Sequence, residues 1–232
     1  MKKDKKAGAG QDEPTFEVLR ARIEARVGRP GVLVVTSAIA GDGKSVAAHG
    51  LASSLASIGC RTLLVDAGKR SGIIIQPPTS ASIEEIVLES ACETTIPGLK
   101  IVSLTSPALQ RKTGLPSVAR ALTVVRGSYD YIVVDGDCAL NNALSAHFVS
   151  SADAVLVAVR AGRRRQAEDA ELAEALGDLD AKFFGVVAVS PAMIGVGSNL
   201  VRLRGAQASR GIETGHLDRE PYLRNARPGI EL

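Results

Sequence analysis

The chain has 232 residues, 45% hydrophobic and 23% charged, ordinary globular proportions that exclude wholesale disorder. Aromatic residues make up only 3%, so the core must be built from Val, Leu, Ile and Ala, and modules that stack bases on aromatic rings are disfavoured. A net charge of +3 is too mild to imply nucleic acid, and three cysteines without a C-x-x-C pair argue against a disulfide framework or a thiolate zinc site.

Residues 1–13 are rich in Lys, Gly and acids and predict a disordered, solubilising tail. Lys2, Lys3, Lys5 and Lys6 are followed by Ala7-Gly8-Ala9-Gly10 rather than an apolar stretch, so no signal peptide is read there. No apolar run reaches the roughly 18–20 residues that cross a bilayer. A cytoplasmic chain is expected, peripheral at the inner membrane only through a partner or a surface contact.

Pro14 to Val27 carries Phe16, Leu19 and Ile23 at helical spacing, and Gly28-Arg29-Pro30-Gly31 ends that helix. A strand at Val32–Val35 follows, then a Gly-rich turn and a helix over about 44–58. The next strand is Thr62–Val65, the next helix 82–90. Strands at 99–104, 131–134, 154–159 and 183–189 follow, with helices at about 117–126 and 166–176 between them. His49 and His147 fall inside helical, mostly apolar patterns and read as structural. Strands apolar on both faces and separated by helices predict an α/β fold, a doubly wound parallel sheet with helices on both faces. After Ile194 the periodicity fades. The domain is therefore placed at 14–194, with a loosely ordered tail over 195–232.

Directly after the first strand stands Ala38-Ile39-Ala40-Gly41-Asp42-Gly43-Lys44-Ser45. It fits G-x-x-x-x-G-K-[ST], with Ala38 at the first glycine. Gly41 and Gly43 let the backbone fold so that the N–H groups of Ala40 to Val46 point at phosphate oxygens, and the start of the following helix adds its positive end. Lys44 would neutralise the β- and γ-phosphates of ATP, and the Ser45 hydroxyl would bind Mg²⁺. Two further strands end in acid: Leu63-Leu64-Val65-Asp66 and Ile132-Val133-Val134-Asp135. Strand carboxyl ends line the ligand crevice of a doubly wound sheet. Asp135 suits a Mg²⁺ ligand and Asp66 the orientation of an attacking hydroxyl, although Asp at a strand end is also ordinary turn and cap chemistry.

With these motifs in place, the run from Thr36 through Arg70, together with 128–135, 151–162 and 185–187, resembles the bacterial tyrosine autokinases of capsule and exopolysaccharide synthesis. These are P-loop NTPases on the same branch as the ParA/MinD ATPases. The resemblance implies ATP and Mg²⁺ as cofactors and an inner-membrane polysaccharide co-polymerase as partner. It also implies no nucleic acid, and it leaves a homo-oligomer open.

The chain departs from the family's pattern at several places. The family's Asp-x-Asp-x-Arg reads Asp66-Ala67-Gly68-Lys69-Arg70, so the second carboxylate is missing. Asp135-Gly136-Asp137 replaces Asp-x-Pro, and Asp137 is a candidate substitute for the lost acid. Only Arg20 survives of the ring-assembly helix motif, which aligns with Pro14, Glu17 and Arg20. Val189-Ser190 stands where an Asn touches the base, and the C-terminal tyrosine cluster is reduced to Tyr222.

These losses point to a degenerate member, an ATP-binding regulator of capsule, slime or holdfast-type polysaccharide biosynthesis and export with kinase activity reduced or lost. The alternatives are an active autokinase with Lys44, Ser45, Asp66 and Asp135 doing the chemistry and Tyr222 as acceptor, and a ParA/MinD-type positioning ATPase. The last is disfavoured by Ile39 at the place of a signature lysine. Arg163-Arg164-Arg165 reads first as a solvated basic turn, and secondly as a contact for an acidic tail or anionic lipid.

Overall fold

The computed structural model describes residues 16–68, 83–104, 114–163, 166–191 and 193. The expected tails at 1–13 and 195–232 lie outside the described residues, as do Lys69, Arg70, Arg164, Arg165 and Tyr222.

Helix α1 (Phe16–Arg26) precedes β1 (Gly31–Thr36), α2 (Lys44–Ser57) and β2 (Thr62–Asp66). Then come α3 (Ile83–Glu89), β3 (Cys92–Glu93), β4 (Leu99–Ser103), α4 (Leu115–Arg126) and β5 (Tyr131–Asp135). The chain continues through α5 (Ala143–Ser151), β6 (Ala154–Arg160), α6 (Gln166–Asp178) and β7 (Phe183–Val189). Helix α5, which the sequence reading left without bounds around His147, starts at Asn142, whose side chain accepts the Ser145 N–H at 3.2 Å.

The seven strands form one sheet in the order β3-β4-β2-β5-β1-β6-β7. All neighbours run parallel except β3, which pairs antiparallel with β4 through Cys92↔Ile101 and Glu93↔Lys100. The expected parallel sheet is therefore corrected at one edge. A two-residue strand carries no periodicity that a sequence could show.

The continuous apolar runs divide by the pleat. Leu33, Val35, Leu64, Ile101, Val133 and Leu156 face α1 and α2, while Val32, Val34, Leu63, Val65, Ile132, Val134 and Val157 face α3 to α6. Each residue of β1, β2 and β5 is thus buried whichever way it points, worth about 1.5–3 kcal/mol for each large apolar side chain, whereas the edge strand β7 leaves Phe183 and Val186 exposed. Helix α2 lies close on the sheet because its buried side is small, with Ala47, Ala48, Gly50, Ala52 and Ala56 beside Leu51 and Leu55. Gly50 leaves room for the Phe16 ring of α1, and a Cβ there would collide with that ring. Of the helix expected over 14–27 the described part is α1, Phe16–Arg26, and its Arg20 is held on α2, with Nη1 donating to the Ser54 carbonyl at 3.2 Å.

Register brings the chemistry to one rim. Val35 pairs with Asp135, and Asp66 pairs with Asp135, so the carboxyl ends of β1, β2 and β5 lie side by side. The chain leaves β1 for β2 on one side and leaves β5 for β6 on the other, which makes this rim the crevice of a doubly wound sheet.

Candidate functional site

The loop after β1 has the backbone its glycines require. Gly41 (φ +88°) and Gly43 (φ +89°) are left-handed, a conformation costly for any residue with a Cβ. Gly43 has a second constraint, because a Cβ would lie 2.6 Å from Val189 Cγ1. Ala38, at the place of the motif's first glycine, is not among the positive-φ residues, and its methyl is buried in the core. A side chain is therefore tolerated there.

Helix α2 begins at Lys44, and the Ala47 N–H makes the first intrahelical bond, to the Gly43 carbonyl at 2.9 Å. The N–H groups of Lys44, Ser45 and Val46 consequently point out of the helix start, where the positive end of α2 favours an anion. Val46 contributes only its backbone, since its side chain is buried in the core. Ala40 and Gly41 are exposed on the outer turn of the loop. Lys44 Nζ donates to Ser37 Oγ at 3.1 Å, and Ser37 in turn donates to the Ile39 carbonyl at 2.5 Å, so the lysine bridges the two ends of the loop.

Asp66 and Asp135 stand opposite one another on adjacent parallel strands, both buried. Burial pushes the Asp135 carboxyl up to about 7, Asp66 adds to the rise, and the Ser45 hydroxyl and Lys44 oppose it while Asp137 raises it further. Two carboxylates at a dry strand rim share one proton more readily than they carry two charges. Asp66 Oδ1 also accepts the Gly68 N–H at 3.2 Å. A Cβ built at Gly68 would meet that same oxygen at 3.6 Å, an ordinary contact, and Gly68 is not at positive φ. Among the described residues the position has room for a Cβ.

The β5–α5 loop is stitched to the phosphate loop. Thr36 Oγ1 donates to the Asp137 carbonyl at 3.0 Å, Ala139 N donates back to Thr36 Oγ1 at 3.3 Å, and the Cys138 thiol donates to the Ala38 carbonyl at 2.8 Å. Neither Thr36 nor Cys138 is visible as a site residue in the sequence, because the contact spans about a hundred positions. Asp137 turns its Oδ1 to the Cys138 N–H at 2.9 Å, and Ser145 Oγ caps the Asp137 amide at 2.8 Å.

Arg163 is exposed, as the reading of a solvated basic turn expects, but its guanidinium also has a partner. Its Nη1 lies 3.4 Å from Oδ1 of Asp42, whose side chain is only 8% exposed. His49, on α2, is structural as expected, and burial pushes its imidazole down to about 4. Among the described residues no cluster of three His, Cys, Asp or Glu side chains forms a preassembled metal cage, and no helix is long and apolar enough to cross a membrane. The rim does fit a divalent ion that keeps most of its waters: one hydroxyl, Ser45, bonded to one carboxylate, Asp135, is the donor set a phosphate-bound Mg²⁺ needs.

The chain matches no family model. Among curated proteins, tyrosine-protein kinase CpsD of Streptococcus agalactiae is 27% identical over 193 residues, 77% of this chain and 83% of that protein. The succinoglycan biosynthesis transport protein ExoP of Rhizobium meliloti is 28% identical over 173 residues, 67% of this chain but 22% of that protein. Among solved structures, the BceF tyrosine kinase domain is 25% identical with a TM-score of 0.56, covering 75% of both chains. The chimerical protein CapA2B2 has a TM-score of 0.62 at 22% identity, covering 75% of this chain and 82% of that one. Cobyrinic acid a,c-diamide synthase from Mycobacterium smegmatis, solved with a bound ATP analog and magnesium, reaches 0.53 at 20% identity over 71% of this chain and 75% of that one. The relatives are bacterial tyrosine kinases and exopolysaccharide biosynthesis-transport proteins, and the fold is that of the P-loop kinase and ATPase domains. The resemblance drawn from the motifs holds.

Proposed function

We propose that this chain, through a unit spanning 14–194, is an ATP- and Mg²⁺-binding regulator of exopolysaccharide biosynthesis and export. It would act with an inner-membrane polysaccharide co-polymerase and have tyrosine-kinase chemistry reduced or lost. The observation that carries the nucleotide reading is the loop itself: two left-handed glycines, an open helix start and Lys44 above a buried aspartate pair. Ala40 to Val46 would hold the phosphates by backbone N–H groups, Lys44 would supply the mobile charge, and Ser45 with Asp135 would hold Mg²⁺. Bound Mg²⁺ would neutralise charge on the phosphates and orient them. Asp66 would take the proton of an acceptor hydroxyl if chemistry occurs.

Reduced chemistry is supported by Gly68. The family's second acid is absent at Gly68, so Asp66 lacks the second carboxylate that the resemblance leads one to expect in its motif. Losing one member of a metal and base network lowers turnover far more than ground-state affinity.

The test is a pair of measurements on purified full-length protein, ATP affinity by calorimetry with Mg²⁺ and phosphotyrosine formation, each against Lys44→Ala. Micromolar ATP binding that Lys44→Ala weakens about tenfold to a hundredfold, with little phosphotyrosine, is the expected result. Absence of ATP binding by well-folded protein would end the nucleotide reading, and robust Lys44-dependent phosphotyrosine would replace the regulator with an active autokinase.

A further inference from the structure

Asp42 sits in the phosphate loop between the two left-handed glycines, nearly buried, among N–H groups whose arrangement favours anions. A carboxylate there repels a polyphosphate, and a buried charge is costly unless it is paired. Lys44 does not answer it, because that ammonium bonds Ser37 and faces the Asp135 side of the site. The pairing group comes from another part of the chain, 121 positions away: Arg163, at the end of β6.

Arg163 is presented by a braced turn. Gly162 is left-handed (φ +82°), and Arg163 N donates to the Arg160 carbonyl at 3.2 Å. Ala161 N donates to the Val189 carbonyl at 2.9 Å, and the Val189 side chain backs Gly43. One wall of the phosphate loop is therefore made by the ends of β6 and β7, which set both the loop's shape and the guanidinium on Asp42.

We propose that Arg163 is a positioning residue for polyphosphate binding, one that cancels the Asp42 charge so that the loop can accept an anion. This rests on the nucleotide reading above and adds to it a charge pair outside the G-x-x-x-x-G-K-[ST] motif. Without the guanidinium, the loop that would hold the phosphates carries a nearly buried carboxylate without its Arg163 partner, which weakens anion binding on the order of tenfold at low ionic strength, an effect that salt screens.

The experiment measures ATP–Mg²⁺ and inorganic tripolyphosphate binding to full-length protein by calorimetry at low and at high salt, with the melting temperature alongside. Arg163→Ala should weaken both probes about tenfold at low salt and less at high salt, with Arg163→Lys retaining most of the affinity. The decisive variant is Arg163→Ala combined with Asp42→Asn, which should return to within about threefold of wild type, since removing the charge removes the need for its partner. A role limited to bracing the turn would lower the melting temperature of Arg163→Ala and would not be repaired at Asp42. Wild-type affinity in Arg163→Ala, or a double variant as weak as the single one, would overturn this inference while leaving nucleotide binding standing. If wild-type protein bound neither probe, the nucleotide reading would fall first and this inference with it.

Discussion

Replacing Asp135 with Asn should leave the ligand-free protein about as stable at pH 4 and make it clearly more stable at pH 8. In the fold burial, and then Asp66, push the Asp135 carboxyl up to about 7, well above the usual 3.8 of an aspartate. Between about pH 4 and about pH 7 the native state therefore holds a proton that the unfolded chain has released. Stability falls as pH rises through that window. At about 1.4 kcal/mol per unit, roughly three units amount to about 4 kcal/mol, of which some 2–3 kcal/mol is lost between pH 5 and pH 8. An amide matches the protonated carboxyl in shape and never ionises, so Asp135→Asn removes this slope.

The assay is urea denaturation of both proteins at pH 5 and pH 8 in the absence of nucleotide, compared by midpoint at constant m-value. The variant's advantage should grow by about 2–3 kcal/mol from the lower to the higher pH. Parallel pH profiles would refute the idea that the fold stores an ionisation penalty at this rim. If Mg²⁺ and ATP relieve the penalty by giving the carboxylate a partner, they should stabilise wild type at pH 8 and stabilise Asp135→Asn much less.

His49 gives the opposite slope. Its imidazole is held near 4, below the usual 6.5, so protonation of the unfolded chain destabilises the fold as pH drops from about 6.5 to about 4, by up to about 3 kcal/mol. His49→Gln should flatten the acid limb of the stability profile in denaturation at pH 4.5 and 7; an unchanged limb would remove His49 as its source. Gly43→Ala should cost about 2–4 kcal/mol, from a left-handed alanine and a collision with Val189, and should lower the thermal midpoint and abolish ATP binding together. Val189→Ala should recover part of that loss by removing its two methyls, and failure to do so would leave the cost to the φ penalty and the remaining Val189 Cβ contact. Gly68→Asp restores a carboxylate at a position where a Cβ meets only ordinary contacts among the described residues, and it should raise phosphotyrosine formation above the wild-type level without changing ATP affinity by more than about threefold. An inert Gly68→Asp would place the loss of chemistry elsewhere.

The parallel core and the phosphate loop were legible in the sequence for a common reason. Each is specified by residues close together in the chain, as in Val32–Val35, Thr62–Val65 and Ala38–Ser45, where burial on both faces or a tight turn restricts residue type locally. Asp66 and Asp135 could be singled out as strand-end acids. That they are register partners, and that Asp66 adds to the rise of the buried Asp135 carboxyl, depends on β2 lying beside β5, a fact of sheet order. Strand β3 was invisible because pairing over two residues is decided by what β4 leaves open. Arg163 is exposed charge, as its sequence suggests, and its pairing with Asp42 at 3.4 Å was not legible because only the turn after β6 brings the two together. Residue types and spacing fixed most of the secondary structure and the Gly-rich loop. The electrostatics of that loop belong to the tertiary structure, because the interaction of two charges depends on their separation and shared burial and not on the number of residues between them.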